Sequence, residues 1–233
     1  MAILHIHAIN HKGATMDSWL NNDEYLNKNL IKEPGVFKNA TEAIRKTNLP
    51  QMEVSPALGK FLYLLAKIKN ASRILEIGTF YGYSTMWLAS AVPKGGLVIS
   101  MELTEKFVNI AQKNINEAGL NSKVKLMQGD AQALLANLIA DKTEPFDMIF
   151  IDAHKPSYPE YLRLVLQLSK PGTIICGDNV ILDGQLANME NNNPKATAVR
   201  QFIEDLGGLE STALQMVGVK GYDGFTVSLV NFE

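Results

Sequence analysis

Two apolar runs in the second half of the chain end in polar residues whose types could do chemistry together. Phe150-Ile151-Asp152-Ala153-His154-Lys155 closes one run and Gly177-Asp178-Asn179 closes the next. Asp152, Asp178 and Asn179 offer three hard oxygen donors, a set that suits Mg²⁺ first, with Ca²⁺ or Mn²⁺ as alternatives, and gives zinc or copper nothing soft to bind. Three protein oxygens leave roughly three octahedral places for substrate oxygens and water. Two vicinal hydroxyls could fill two of them. Lys155 follows Asp152 by three residues, close enough to face the same substrate. A divalent cation beside it would push its pKa down and help it accept a hydroxyl proton. Plainer readings exist for each piece. Asp178-Asn179 is also a common turn pair, Lys155 could be a surface lysine, and His154 could be a surface histidine or one that supports the metal site indirectly.

A second group of residues lies upstream. Leu75-Glu76-Ile77-Gly78-Thr79-Phe80-Tyr81-Gly82-Tyr83-Ser84 places two glycines four apart after an apolar run. That spacing lets the backbone turn sharply and approach a ligand, but the dinucleotide fingerprint G-x-G-x-x-G is incomplete. Glu76 precedes the first glycine, where a carboxylate would repel a pyrophosphate and attract the cationic amino acid portion of S-adenosylmethionine. Glu102, closing Leu97–Met101, can take both hydroxyls of a ribose, a device that nicotinamide enzymes share. Gln128-Gly129-Asp130-Ala131 closes the next run, where an adenine edge would lie. In order at successive strand ends, these residues point to a methyl donor. An oxyanion prepared at the Asp152–Lys155 end would attack the sulfonium methyl in line, with catalysis coming mostly from holding both partners in position. Gly78 and Gly82 could also be turn glycines, Glu102 a helix-initiating surface acid, and Asp130 the N-cap of the helix beginning at Ala131.

The elements that must position these residues follow from the hydropathy pattern. Short apolar strands are expected at Arg73–Ile77, Leu97–Met101, Val124–Gln128, Phe146–Asp152 and Thr173–Gly177. Helices are expected between them, near Tyr83–Ala91, Thr104–Ala118, Ala131–Ala140 and Tyr158–Leu168. A last helix near Ala196–Leu206 precedes strands near Ser211–Val217 and Phe225–Val230. Alternation of this kind predicts parallel βαβ units with right-handed crossovers and a sheet covered on both faces. Ligands in such folds lie at the carboxyl ends of the strands, at the switch point. Upstream, 17–48 is mostly helical in pattern with a break at Pro34-Gly35, and Ser55-Pro56 is a helix start with Ser as N-cap and Pro in the first turn. The expected organisation is an extension over 1–16, a helical lid over 17–70 and a Rossmann-like α/β core over 71–233, together one domain.

Composition excludes several classes. At 46% hydrophobic and 20% charged the chain is neither disordered nor of low complexity. Twenty-two Lys and Arg against 24 Asp and Glu give a formal charge of -2, unlike the strongly basic balance that nucleic-acid binding usually needs. The one cysteine, Cys176, lies in an apolar run and reads as a buried structural thiol in a reducing compartment. No apolar stretch is long enough to cross a bilayer, and the first residues lack the pattern of a signal peptide. A soluble, cytoplasmic protein is expected. His5, His7 and His11 cluster in the extension without an acidic or cysteine partner, which favours a solvated tail or edge strand over a metal site.

MEVSP (52–56), LEIGTFYGYST (75–85), FIDAHKPSYPEY (150–161), GDNVILDGQ (177–185) and GYDGFTVSLV (221–230) together resemble the cation-dependent class I O-methyltransferases, the caffeoyl-CoA and catechol O-methyltransferase family, in its bacterial branch. The resemblance covers about 22–233. It implies a doubly wound seven-stranded sheet with the last strand antiparallel, usually in a homodimer. Carried over by position, it implies that Asp152, Asp178 and Asn179 hold the metal and that Lys155 is the base. It assigns Glu76, Gly78, Ser84, Glu102 and Ala131 to the donor, adds Val54 and Thr79 to that pocket, and has Asp152 touch both metal and donor. Two positions depart: His154 stands where the family usually has an acid, and Pro171-Gly172-Thr173 where it has Pro-Gly-Gly.

The expected reaction is methyl transfer from S-adenosylmethionine to one hydroxyl of a vicinal aromatic diol: a catechol, a caffeoyl-type compound or a flavonoid. The N-terminal helices and the loop from Leu182 to Pro194 are expected to shape acceptor choice. Three alternatives stand beside this one. The same site could methylate hydroxyuridine in tRNA, the fold could serve a nicotinamide-dependent oxidoreductase, or the chain could bind the donor without turnover.

Overall fold

Seven strands form one sheet in the order β3-β2-β1-β4-β5-β7-β6 in a computed structural model that describes residues 16–231. The strands are β1 (Arg73–Ile77), β2 (Leu97–Glu102), β3 (Val124–Gln128), β4 (Phe146–Ile151), β5 (Ser169–Asp178), β6 (Glu210–Gly218) and β7 (Gly221–Leu229). β1 pairs in parallel with both β2 and β4, β2 with β3, and β4 with β5. β7 runs antiparallel to β5 and to β6. The chain moves outward from β1 through β2 to β3, then returns to the other side of β1 at β4. The switch point therefore lies between the carboxyl ends of β1 and β4.

Among the described residues eight helices surround the sheet: α1 (Met16–Leu30), α2 (Gly35–Arg45), α3 (Pro56–Lys69), α4 (Tyr83–Ala91), α5 (Glu105–Glu117), α6 (Ala131–Ala140), α7 (Tyr158–Leu166) and α8 (Pro194–Leu206). The central strands are buried on both faces, which is why they read as near-continuous apolar runs. Their side chains alternate between two cores. Ile74, Met148, Phe150 and Cys176 face α2, α3, α4 and α5, whereas Leu75, Ile77, Ile149, Ile151 and Ile175 face α6, α7 and α8. Cys176 is buried as expected, and burial pushes its thiol up to about 12. No helix of the described residues is long and apolar enough to cross a membrane.

Local chemistry sets the boundaries. Ser55 accepts from the Leu58 amide at 3.1 Å with Pro56 following, the start signal read from sequence, and Asn70 closes α3 in the left-handed region. Four strands run longer than expected, β2 by Glu102 alone. β5 begins at Ser169 instead of Thr173, because Gly172 at φ 84° lets the chain kink without leaving the sheet. Its pairing with β4 shifts register between Phe146 and Met148. β6 and β7 extend to Gly218 and from Gly221, joined by Val219-Lys220. The added residues of β7 include Gly224, which sits where a Cβ would strike the Leu214 carbonyl of β6. In the opposite sense α7 ends at Leu166, two residues early. The histidines of the extension lie outside the described residues.

Candidate functional site

A cavity of about 800 Å³ opens at the carboxyl ends of β1, β2 and β4, within the usual range for small-molecule sites. Of the residues singled out from sequence, Val54, Gly78, Thr79, Ser84, Glu102, Ala131, Asp152, Lys155, Asp178 and Asn179 all line it. Glu76 does not: it lies one layer behind, fully buried.

The loop after β1 is built by its glycines. Gly78 has φ 102° and Gly82 φ 88°, so both hold conformations that side chains rarely adopt. Gly82 then opens α4, a helix buried along almost its whole length. Behind this loop a chain of hydroxyls reaches the sheet. Thr79 Oγ1 lies 2.5 Å from Ser100 Oγ, and Ser100 donates to Glu76 Oε2 at 2.6 Å. Thr85 donates to the same oxygen. Glu76 Oε1 has no hydrogen-bond partner although it is buried. Burial drives the carboxyl up to about 7, against the pull of the Ser100, Ser84 and Thr85 hydroxyls. An unpartnered, buried carboxylate oxygen beneath Thr79 and Ser84 fits a ligand that brings a cationic amino group.

Glu102 ends β2 with both oxygens engaged. Oε2 accepts from the Phe80 amide at 2.8 Å and Oε1 from the Thr104 amide at 2.9 Å. Each oxygen keeps a second acceptor position, so the carboxylate is fixed in place and still able to take a pair of hydroxyls. Asp130 caps α6, accepting from the Ala133 amide at 3.0 Å, while Ala131 lies on the lining beside it.

At the other end, β4 and β5 bring Asp152, Lys155, Asp178 and Asn179 together. Asn179 adopts φ 54°, a left-handed conformation that asparagine tolerates better than most residues. Burial and the charge of Asp152 push the Asp178 carboxyl well above the usual carboxylate range, against the pull of Lys155. A pair of carboxylates that cannot comfortably both ionise, with an amide oxygen alongside, fits a hard divalent cation. Among the described residues no group of three or more His, Cys, Asp or Glu side chains is arranged to hold a metal ion, and the set here is two carboxylates with one amide.

Lys155 differs from expectation. Burial disfavours its charge, but the Asp152 carboxylate at 2.8 Å and the Tyr158 hydroxyl at 2.6 Å outweigh that and hold the ammonium above its usual range. The expectation of a lowered pKa rested on the charge of a divalent cation beside the lysine, and the protein groups alone act in the opposite direction. His154 is exposed on the lining, with Nδ1 3.2 Å from Ser157 Oγ.

Several contributors carried no local signal in the sequence. Glu53 is buried and paired with Lys220 at 2.9 Å, and Lys220 also donates to the Gln51 carbonyl at 3.2 Å. Both line the cavity, 167 residues apart in the chain. The 182–194 loop is pinned away from the lining, since Arg200 donates to the carbonyls of Leu186, Asn188 and Asn191. Lys195, just beyond it, does reach the cavity.

Known proteins share this fold. A catechol O-methyltransferase from Niastella koreensis is 44% identical over 211 residues, spanning 89% of this chain and 96% of the relative. The O-methyltransferase of Bacillus cereus, solved in complex with SAH, superposes with a TM-score of 0.90 at 42% identity, over 93% of this chain and all of that one. TomG of Streptomyces achromogenes, an O-methyltransferase involved in tomaymycin synthesis and solved with SAM, gives a TM-score of 0.90 at 40% identity, covering 94% and 100%. A family model described as O-methyltransferase matches residues 28–230, the entire sheet and all the cavity-lining residues, and the chain belongs to that family.

Proposed function

We propose that the protein transfers the methyl group of S-adenosylmethionine to one hydroxyl of a vicinal aromatic diol, with a divalent cation, Mg²⁺ foremost, held by Asp152, Asp178 and Asn179. The observation that carries this reading is the meeting of two chemistries in one cavity. A loop suited to a cationic donor faces a hard-oxygen set with a lysine beside it. The Niastella relative's name supports a catechol as acceptor.

The donor supplies an electrophilic sulfonium methyl, and a cation at the carboxylate pair would ease loss of a proton from an acceptor hydroxyl. The residues do the rest. Gly78 lets the backbone come close to the donor, Glu102 takes its ribose hydroxyls, and Glu76 balances its amino group. Val54, Thr79, Ser84 and Ala131 complete that half. With the charge of Asp152 engaged by a bound cation, the Lys155 ammonium would release its extra proton to solvent water, and the neutral Nζ could then receive the hydroxyl proton. The helices over 17–70 act as a lid on the acceptor side. Trp19, Tyr25, Leu26 and Leu30 on α1 and Leu214, Val217 and Val219 on the β6–β7 hairpin expose apolar side chains, which supports a homodimer through that face. A buried single thiol suits a cytoplasmic setting.

Calorimetric titration with S-adenosylmethionine, then transfer to catechol or 3,4-dihydroxycinnamate with Mg²⁺ or EDTA, tests the reading. Donor binding with Mg²⁺-dependent transfer is expected. Transfer only to hydroxyuridine in tRNA would replace the acceptor, and absence of donor binding would overturn the proposal.

A further inference from the structure

Tyr158 belongs to none of the ligand sets above, yet its hydroxyl joins the tips of both chemistry-bearing strands. The side chain is fully buried. Its Oη lies 3.0 Å from the Ile151 carbonyl, at the end of β4, and 2.9 Å from the Asp178 carbonyl, at the end of β5. Its one proton serves those two acceptors, and a lone pair accepts from Lys155 Nζ at 2.6 Å. The local fold explains the meeting. Lys155–Ser157 is a turn of 3₁₀-helix, in which side chains three residues apart eclipse, so the side chains of Lys155 and Tyr158 fall on the same side. Phe202 of α8 packs its edge on the Tyr158 ring at 5.0 Å and fixes where the hydroxyl stands.

The consequence lies in the geometry of an amine. Nζ has three substituent directions besides its carbon. Asp152 Oδ1 at 2.8 Å takes one and Tyr158 Oη takes a second. The third is thereby set, and Lys155 lines the cavity. We propose that Tyr158 is a positioning residue for methyl transfer: by holding one N–H of Lys155, its hydroxyl aims the remaining position of Nζ at the acceptor hydroxyl. In the neutral amine that position is the lone pair. The acceptor O–H bond breaks, a new N–H bond forms, and the electron pair stays on the acceptor oxygen for attack on the methyl carbon. The inference rests on the proposed role of Lys155 in that reaction.

The test is a double-mutant cycle on the full-length protein with Mg²⁺ and catechol. Tyr158→Phe keeps the ring and removes the hydroxyl. Its kcat is expected to fall roughly ten- to a hundredfold, with KM for the donor and calorimetric affinity for S-adenosylhomocysteine within about twofold of wild type. Because Tyr158 acts through Lys155, Lys155→Ala/Tyr158→Phe is expected to be no slower than Lys155→Ala. Leu164→Ala, elsewhere on α7, serves as the stability control and is expected to lower the melting temperature while leaving kcat near wild type. An unchanged kcat in Tyr158→Phe, losses that multiply in the double variant, or an equal fall in Leu164→Ala would each overturn the proposal. A second readout needs no turnover. Acylation of Lys155 by sulfosuccinimidyl acetate, followed by peptide mass spectrometry, is expected to be several-fold faster in Tyr158→Phe because the amine is released, and an unchanged rate overturns the proposal. Faster labelling in a protein whose wild type turns over no catechol would uphold the positioning role and sink the acceptor reading.

Discussion

The backbone carbonyl of Asp152 occupies the space that a side chain at Gly78 would need. The first strand's ligand loop and the fourth strand's chemistry therefore touch backbone to backbone, also joined by the Asp152 amide donating to the Ile77 carbonyl at 2.9 Å. Gly78→Ala must both strain a φ of 102° and push these two tips apart. Calorimetry is expected to show donor affinity at least about tenfold weaker, in a protein whose circular dichroism still reports a folded sheet.

Donor binding should depend on pH through Glu76. Burial raises this carboxyl to about 7, so below that value it is largely neutral and has no charge to offer an ammonium group. Affinity for S-adenosylmethionine is expected to tighten as pH rises through about 7 and to lose that dependence in Glu76→Gln. Stability without ligand runs the other way. The folded chain holds a proton that the unfolded chain has already lost, so this group's contribution declines between the ordinary carboxylate range and about 7. Titrations across that range, by calorimetry and by thermal melting, check both signs.

Chemistry and donor binding should separate. EDTA, or Asp178→Ala, is expected to remove methyl transfer while donor affinity stays within a few-fold. Lys155→Ala should lower kcat by about 10²–10⁴-fold, the usual contribution of a positioned base, with donor affinity kept. Loss of donor binding in Lys155→Ala would mean that the lysine serves the pocket and not the reaction.

Away from the cavity, Asp147 anchors the opposite end of the sheet. It accepts from the Ser72 amide at 2.8 Å, the Arg73 amide at 3.0 Å and the Ser72 hydroxyl at 3.0 Å, and pairs with Lys170 at 2.7 Å. Burial works against its charge, but Lys170 and these donors prevail and hold the carboxyl below the usual carboxylate range. Its contribution is therefore present above the ordinary carboxylate pKa and is lost as pH falls below it. Asp147→Asn is expected to cost about 2–3 kcal/mol in denaturant melts near neutral pH, with less difference in acid.

How much was legible depended on how local each signal was. β1 and β4 are short apolar runs ending in polar residues, so their edges and the residues at their tips could be read directly. Asn179, Glu102 and Gly78 announce themselves by type and place. Ser100 and Thr85 do not: each is a small polar residue inside an apolar segment, and only the pairing of β1 with β2 and the packing of α4 reveal that they serve Glu76. Tyr158 stood in a recognised motif, but its role depends on the 3₁₀ turn before it, which Pro156 and Ser157 mark only weakly. Glu53 and Lys220 meet through folding alone. The hydropathy pattern starts β7 only at Phe225, four residues late, because Gly221 and Gly224 add no apolar side chain to the strand, and Gly224 is there for its close approach to β6.

The hairpin of β6 and β7 also bears on how the protein is made. Asp23 of α1 accepts from the Val219 amide at 3.0 Å, a contact spanning 196 positions, and Lys220 holds the segment from Gln51 to Glu53. One wall of the cavity is thus assembled from Gln51 and Lys220, 169 positions apart in the chain. Closing so long a loop is slow, and its reward arrives only at the end. A nascent chain can form β1 to β4 and their glycine loop first, and the Lys220 side of the cavity takes shape only once the β6–β7 hairpin has emerged.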